Sequence, residues 1–228
     1  MTTWRKLAVA AVFGAALAAP TAALAGDRPR QAADASHGRF DGDLGIAGSV
    51  GMTAGPRGPR AGGDLRFRYL STAGLFAAYE DGPLVGSKAE PRRVFAFGIE
   101  LRPLFLARWA TGRDLGMPRL DLFIDSLAFE LGAVFVQPDG ASFGGGGRSG
   151  GRPGFQAGLG LELPFFATAS GPFAALHGGV RWSDAALSGG PLEGPSDRAL
   201  FLTVSVGWQQ LFGGHVVDLG DRRKTAGR

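Results

Sequence analysis

Residues 155–165, FQAGLGLELPF, place Phe155, Ala157, Leu159, Leu161, Leu163 and Phe165 on one parity and Gln156, Gly158, Gly160, Glu162 and Pro164 on the other. A period of two is the signature of an extended strand with one apolar face. The same period runs through most of the chain. In 93–105 Phe95, Phe97, Ile99 and Leu101 oppose Ala96, Gly98, Glu100 and Arg102. In 200–208 Leu200, Leu202, Val204, Val206 and Trp208 oppose Phe201, Thr203, Ser205 and Gly207. In 174–182 Leu176, Val180 and Trp182 oppose His177, Gly179 and Arg181. Near the start, Leu44, Ile46, Val50 and Met52 oppose Asp43, Ala47 and Ser49.

Two stretches are less regular. In 64–79 Leu65, Phe67 and Tyr69 oppose Asp64, Arg66 and Arg68, and the pattern blurs after Ser71. In 119–136 the apolar set moves from even positions (Leu120, Leu122, Ile124) to odd ones (Leu127, Phe129, Leu131). A change of phase within one strand predicts a β-bulge, here near Asp125–Ser126. Seven strands are thus expected, over 40–53, 64–80, 92–109, 119–137, 153–166, 171–183 and 199–212. Glycine- and proline-rich breakers separate them. Single-chain bacterial barrels have even strand numbers, so an eighth is sought. His215–Leu219 is one candidate. The alternative is that one of the longer stretches is really two strands.

The small face suggests which way the strands turn. A soluble sandwich carries polar and charged residues on its outer face. Here the face opposite the apolar one is mostly Gly, Ala and Ser, with embedded charges of both signs. Small residues and pairable charges suit the interior of a narrow barrel, and the apolar stripe would then face lipid. Trp109, Trp182, Trp208 and Tyr79 lie at or near segment ends, as interfacial girdles do. The expected fold is all-β, a single antiparallel up-and-down transmembrane β-barrel of about eight strands. Arg66, Arg68, Glu100, Arg102, Glu130, Glu162, His177 and Arg181 share the inward parity and form the expected lumenal polar network. Within it, Glu162 is expected beside His177, and Arg102 two diagonal steps from Glu130.

The flanks read differently. Residues 1–25 have the form of a secretory signal peptide: Arg5 and Lys6, an apolar Leu7–Ala19 core, then Ala23-Leu24-Ala25 before the cut. Asp27 stands where a lipoprotein box needs Cys. Residues 26–39 are read as a flexible leader with a solvated His37, 40–220 as the barrel, and 221–228 as a basic tail.

In its alternation over about 40–212 the chain resembles small bacterial outer-membrane β-barrel proteins as a class. The most specific part is the strand 199–212. Ser205, Gly207 and Phe212 fit the assembly signal of such proteins, with polar Gln210 where an apolar residue is usual. The resemblance implies a place in the outer membrane, contact with its lipid and lipopolysaccharide, and insertion by the barrel-assembly machinery. Short connections of such barrels are periplasmic and long ones external. Thr168–Pro172 would then be periplasmic, and Pro138–Pro153 and Ser183–Asp197 external. With seven strands this conflicts with a periplasmic N-terminus, unless an extra strand lies before or within the first half.

Chemistry is sparse. The 228 residues include no cysteine and three histidines, which excludes thiolate sites and nucleophiles and leaves little for a metal. Some barrels of this size are lipid A-modifying enzymes that use serine and histidine. Here Ser183 is six residues from His177 on the same strand, roughly 20 Å away. Gly144–Gly151 lacks the Lys-Ser/Thr ending of a phosphate loop. Without the signal peptide the basic excess is only two residues, so no nucleic-acid partner is expected. No catalytic, cofactor or metal residue is assigned, and nothing in the sequence assigns an oligomeric state. The expected role is structural or surface interaction. A narrow passive pore, a soluble exported β-sandwich and a lipid A-modifying enzyme are the alternatives.

Overall fold

In a computed structural model of the chain the described residues are 37–39, 42–56, 58–82, 84, 93–111, 113, 115–137, 153–188 and 198–213. The expected signal peptide, most of the expected leader, residues 144–151, the candidate strand His215–Leu219 and the expected basic tail lie outside them. Eight strands close into an antiparallel barrel: β1 Leu44–Ala54, β2 Arg60–Tyr69, β3 Ala73–Asp81, β4 Arg93–Leu101, β5 Ala128–Gln137, β6 Gly154–Pro164, β7 Gly171–Trp182 and β8 Arg198–Phe212. Each pairs with its neighbours in sequence, and β8 closes on β1 with Leu44 opposite Phe212. Among the described residues three short helices sit in the connections: α1 Pro103–Ala110, α2 Pro118–Asp125 and α3 Asp184–Ser188. Among the described residues no helix is long and apolar enough to cross a membrane.

The eighth strand comes from splitting 64–80. Tyr69 pairs with Ala73, leaving Leu70, Ser71 and Thr72 as the turn. Leu70 and Ser71 take positive φ values of 48° and 54°, a region non-glycine residues seldom occupy. Hydrogen bonds hold them there: the Thr72 N–H donates to the Tyr69 carbonyl at 3.0 Å, and the Leu70 N–H to the Asp43 carbonyl at 2.7 Å. The turn has an odd number of residues, so parity carries through it.

Two further expectations are corrected. The strand expected over 92–109 ends at Leu101, and Pro103 opens α1. The strand expected over 119–137 begins only at Ala128, because 118–125 is helical. There is no bulge at Asp125–Ser126. The change of phase is a helix handing over to a strand. Trp109 therefore belongs to a helix and not to a strand end. The end of the leader is not loose either: Arg39 is buried, and His37 is only half-exposed.

The wall is apolar outside. Leu65, Phe67, Leu75, Phe97, Ile99, Phe129, Leu131, Leu159, Leu163 and Leu176 are exposed, as is every even position of β8 from Leu200 to Val206. Leu200 reaches 72% and Val204 58%. Aromatic residues mark both rims. Phe155 packs on Trp182 at 5.6 Å near one rim, and Phe97 stacks on Phe135 at 5.9 Å further along the wall. Trp208, Phe212, Phe165 and Phe166 are exposed near the other. The interior holds small apolar groups, Phe76 with Val94, Ala96 and Val134, and Phe173 with Ala47 and Ala175. Charged side chains fill the rest.

An eight-stranded barrel is only just wide enough to be filled by side chains, so backbones must pass close to bulky groups. At Gly207 a Cβ would lie 2.4 Å from the Gly48 carbonyl, 2.7 Å from the Ser49 Cβ and 2.8 Å from the Phe173 ring. Gly207→Val is therefore expected to lower the thermal midpoint of unfolding by the equivalent of about 1–3 kcal/mol or more, the range of overpacking. At Gly48 the nearest atom to an added Cβ is 4.0 Å away, and Gly48→Ala should melt like the parent.

Candidate functional site

The inward parity of β2 carries Arg66 and Arg68, one step apart on the same face. Around them β4 presents Glu100, β5 Glu130, β6 Glu162 and β7 His177, all buried. In the β4–β5 register Glu100 stands directly opposite Glu130, a placement that repels when nothing intervenes. Arg66 intervenes: its Nη1 is 2.5 Å from Glu100 Oε2 and 2.6 Å from Glu130 Oε1. Its Nε donates to Asp64 Oδ1 at 2.8 Å. Arg68 donates to Glu100, Glu162 and Gln209. Arg102, just beyond β4, lies 2.6 Å from Glu162 and 3.4 Å from Glu100. Glu100 thus receives three guanidinium groups and has 0% exposure. Fully buried ion pairs hold only when geometry and further hydrogen bonds offset desolvation, and here each carboxylate has several donors.

His177 Nδ1 lies 2.8 Å from Glu130 Oε1. A carboxylate accepts, so Nδ1 carries the proton in this contact. This corrects the expected pairing with Glu162. Glu162 is one diagonal step from His177, since Gly160 is the residue opposite, but its oxygens are engaged by Arg68 and Arg102. The space for the imidazole exists because residue 160 is glycine: a Cβ there would sit 2.5 Å from His177 Nδ1. The expected register, with Arg102 two diagonal steps from Glu130, is also corrected: Glu100 stands opposite Glu130, and Arg102 turns to Glu162. Arg181 does not join the central cluster. It forms a second one, with Nη2 and Nη1 donating to Glu80 at 2.6 and 2.9 Å, Nε to Gln156 at 2.8 Å, and the guanidinium 4.0 Å from the Phe201 ring centre. Seven of the eight expected residues therefore meet in one cluster, and the eighth lies further along the lumen.

Sequence reasoning missed Glu80, Gln156, Gln209 and the Ser49–Asp64–Ser205 set, in which Ser49 Oγ donates to Asp64 at 2.5 Å and meets Ser205 Oγ at 3.0 Å. Carrying the even parity of β2 through the turn into β3 would have turned Glu80 inward. Between the two clusters lies a chamber of about 30 Å³ lined by Thr53, Thr203, Ser205, Gln156, Phe76 and Phe201 among others. That is room for about two waters. A chamber of about 40 Å³ on the other side touches Arg102, Glu162 and Asp125.

A third cluster closes the end of the barrel where β1 begins and β8 ends. Asp125 meets Arg39 at 3.0 Å and Arg108 at 2.7 Å. Asp121 meets Arg108, and His37 at 3.5 Å. Burial opposes ionisation of Asp121, but the Leu115 N–H at 2.9 Å, Arg108 and the Met117 N–H at 3.1 Å outweigh it and hold the carboxyl below its ordinary range. For Arg39 burial dominates and, against the attraction of Asp125, lowers the guanidinium to about 10. Among the described residues no group of three or more His, Asp or Glu side chains could hold a metal ion.

No protein-family model matches the chain, and no curated protein matches it. Solved structures do. The N-terminal β-barrel domain of Pseudomonas aeruginosa OprF is 13% identical, with a TM-score of 0.42, over 74% of this chain and 99% of that one. Acinetobacter baumannii CarO2 is 14% identical, with a TM-score of 0.46, over 73% and 99%. Ail, the attachment invasion locus protein of Yersinia pestis, is 10% identical, with a TM-score of 0.30, over 73% and 96%. The likeness to these solved structures is one of fold.

Two outcomes follow from the clusters. Glu100→Ala leaves Arg66, Arg68 and Arg102 short of an anion, and breaking a buried pair from one side costs about 3–5 kcal/mol. A correspondingly large fall in the unfolding temperature is expected. Asp121, with its folded pKa depressed, contributes stability that is present above the ordinary carboxylate value, about 3.9, and is lost as the pH falls through the lower folded value. The Leu115 and Met117 amide proton shifts should titrate with a midpoint below that ordinary value. A midpoint at or above it would contradict the assignment.

Proposed function

We propose that this chain is a transmembrane barrel of the bacterial outer membrane with a structural or surface-interaction role and no catalysis. The observation that carries the reading is the reversal of the wall: large apolar residues are exposed on every strand, while Glu100, Arg66 and Arg68 are buried inside. In water such a wall would drive aggregation. In a bilayer it is the arrangement of β-barrel proteins, and closure satisfies the backbone.

The same reading orients the molecule. Both described strand termini lie at one end, with the short connections 70–72 and 165–170 and the long helical connection 102–127. That end is periplasmic in this account. The connections 55–59, 82–92, 138–153 and 183–197 belong to the opposite end, which faces outward, where lipopolysaccharide and any surface partner would be met. The barrel-assembly machinery would engage β8, whose Phe212 is exposed at the periplasmic rim.

The ion-pair cluster spans the lumen, which supports a closed barrel over a conducting one. The narrow-pore reading has one observation in its favour, the small chambers on either side of the cluster. Catalysis is disfavoured by the engagement of both candidates. His177 is held by Glu130, and Ser183 Oγ accepts the Ala186 N–H at 3.2 Å to cap α3.

Fractionation tests the placement. Recovery with outer membranes and a heat-modifiable gel mobility are expected, and recovery in the detergent-free soluble fraction would contradict it. Phe97→Arg should impair insertion by about 2–4 kcal/mol, the cost of a cation at mid-bilayer, while Phe97→Leu should assemble normally. In planar bilayers the purified protein should show no sustained single-channel conductance. Steady channels would favour the pore.

A further inference from the structure

The α1–α2 pair buries its acids and exposes an apolar face. On α1 the exposed residues Pro103, Leu106, Ala107 and Ala110 recur at i, i+3, i+4 and i+7, so they form one face, and all are apolar. The charged residue of that helix, Arg108, turns the other way, to Asp121 and Asp125 of α2. On α2 the acids Asp121 and Asp125 are buried while Leu120 is exposed. Between the helices Leu115 and Met117 are each 53% exposed, and Leu106 is 44% exposed. A helical pair meeting water exposes its acids and keeps large apolar groups covered. This pair buries Phe105 and Leu122, but it buries both acids of α2 as well and leaves Leu106, Leu115, Met117 and Leu120 exposed.

Its neighbours are equally telling. Leu101 and Phe129, opposite each other at the ends of β4 and β5, are both exposed on the apolar wall. The chain leaves the wall at that pair, enters α1 two residues later and returns from α2. The apolar surface of the helices therefore continues the apolar surface of the barrel. The exposed charges described in this connection are Arg113 and Arg119; Asp114 lies outside the described residues.

We propose that α1 and α2 lie in the headgroup–acyl boundary of the phospholipid leaflet surrounding this end of the barrel, an inference that rests on the membrane reading above. Leu106, Leu115, Met117 and Leu120 enter the acyl layer, as the apolar face of an interfacial helix does. Arg113 and Arg119 reach the phosphates along apolar stems. The Arg39–Asp125–Arg108–Asp121 cluster takes the place of a solvated polar face by turning the charges toward the barrel end. The connection is thereby a lipid-contacting collar on the periplasmic rim.

The chain has no cysteine, so single thiols can be introduced without other changes. Leu106→Cys, Leu120→Cys, Phe97→Cys and Thr168→Cys would be labelled with a polarity-sensitive fluorophore and reconstituted in phosphatidylcholine–phosphatidylglycerol vesicles. Quenching by lipids with nitroxides at shallow or deep acyl positions is compared with quenching by aqueous iodide. Labels at 106 and 120 are expected to respond to the shallow nitroxide, the label at 97 to the deep one, and the label at 168, exposed in a turn at the same end, to iodide. Labels at 106 and 120 as open to iodide as that at 168 would overturn the proposal while leaving the membrane reading intact. A label at 97 open to iodide would overturn both. Labels at 106 and 120 shielded from iodide yet untouched by lipid nitroxides would mean that protein, not lipid, covers this face, and would also overturn it.

Discussion

Glu100 has no exposed surface and meets Arg66, Arg68 and Arg102. The rest of the barrel depends on that pairing. A barrel of eight strands has little interior water, so a charge inside it must find its partner among side chains. Arg66 lets two glutamates face each other across β4 and β5, and Arg68 ties β4 to β6 and β8 through Glu100, Glu162 and Gln209. These long side chains fit because their neighbours are small. Gly160 leaves room for His177, and Gly207 lets Phe173 and Ser49 approach β8. Charges inside and leucines outside are therefore two sides of one arrangement.

Much of this was legible as alternation. Parity alone turned Arg66, Arg68, Glu100, Glu130, Glu162, His177 and Arg181 inward and Leu159, Phe97 and Val204 outward, because a strand residue has only two faces to choose from. What parity lacks is register. It could not say that Glu130, and not Glu162, would meet His177, or that Arg181 would pair with Glu80 and leave the central cluster.

The element errors have equally local causes. The β2–β3 turn is Leu70-Ser71-Thr72, without glycine or proline, and its odd length hides the reversal from a parity count. The helices escaped because Leu120, Leu122 and Ile124 alternate by chance of composition, and because α1 turns its apolar face outward. Pro103 and Pro118, at the first turns of α1 and α2, were the available signal. Finding the eighth strand inside 64–80 also removes the conflict over the termini: an even count brings the start of β1 and the end of β8 to one rim. That rim is closed by α2, Arg39 and the acids of α2, in contrast to the loose leader expected for His37 and Arg39.

The central claim is that the apolar face of the wall meets lipid and the opposite face does not. Methyl NMR in lipid nanodiscs tests it within one residue type. Val204 and Val206 point outward from β8, and Val94 and Val134 are buried inside the barrel. The account predicts strong nuclear Overhauser contacts from the Val204 and Val206 methyls to acyl-chain methylenes, and none from Val94 or Val134. Lipid contacts at Val94 and Val134, or water contacts in place of lipid at Val204 and Val206, would contradict it.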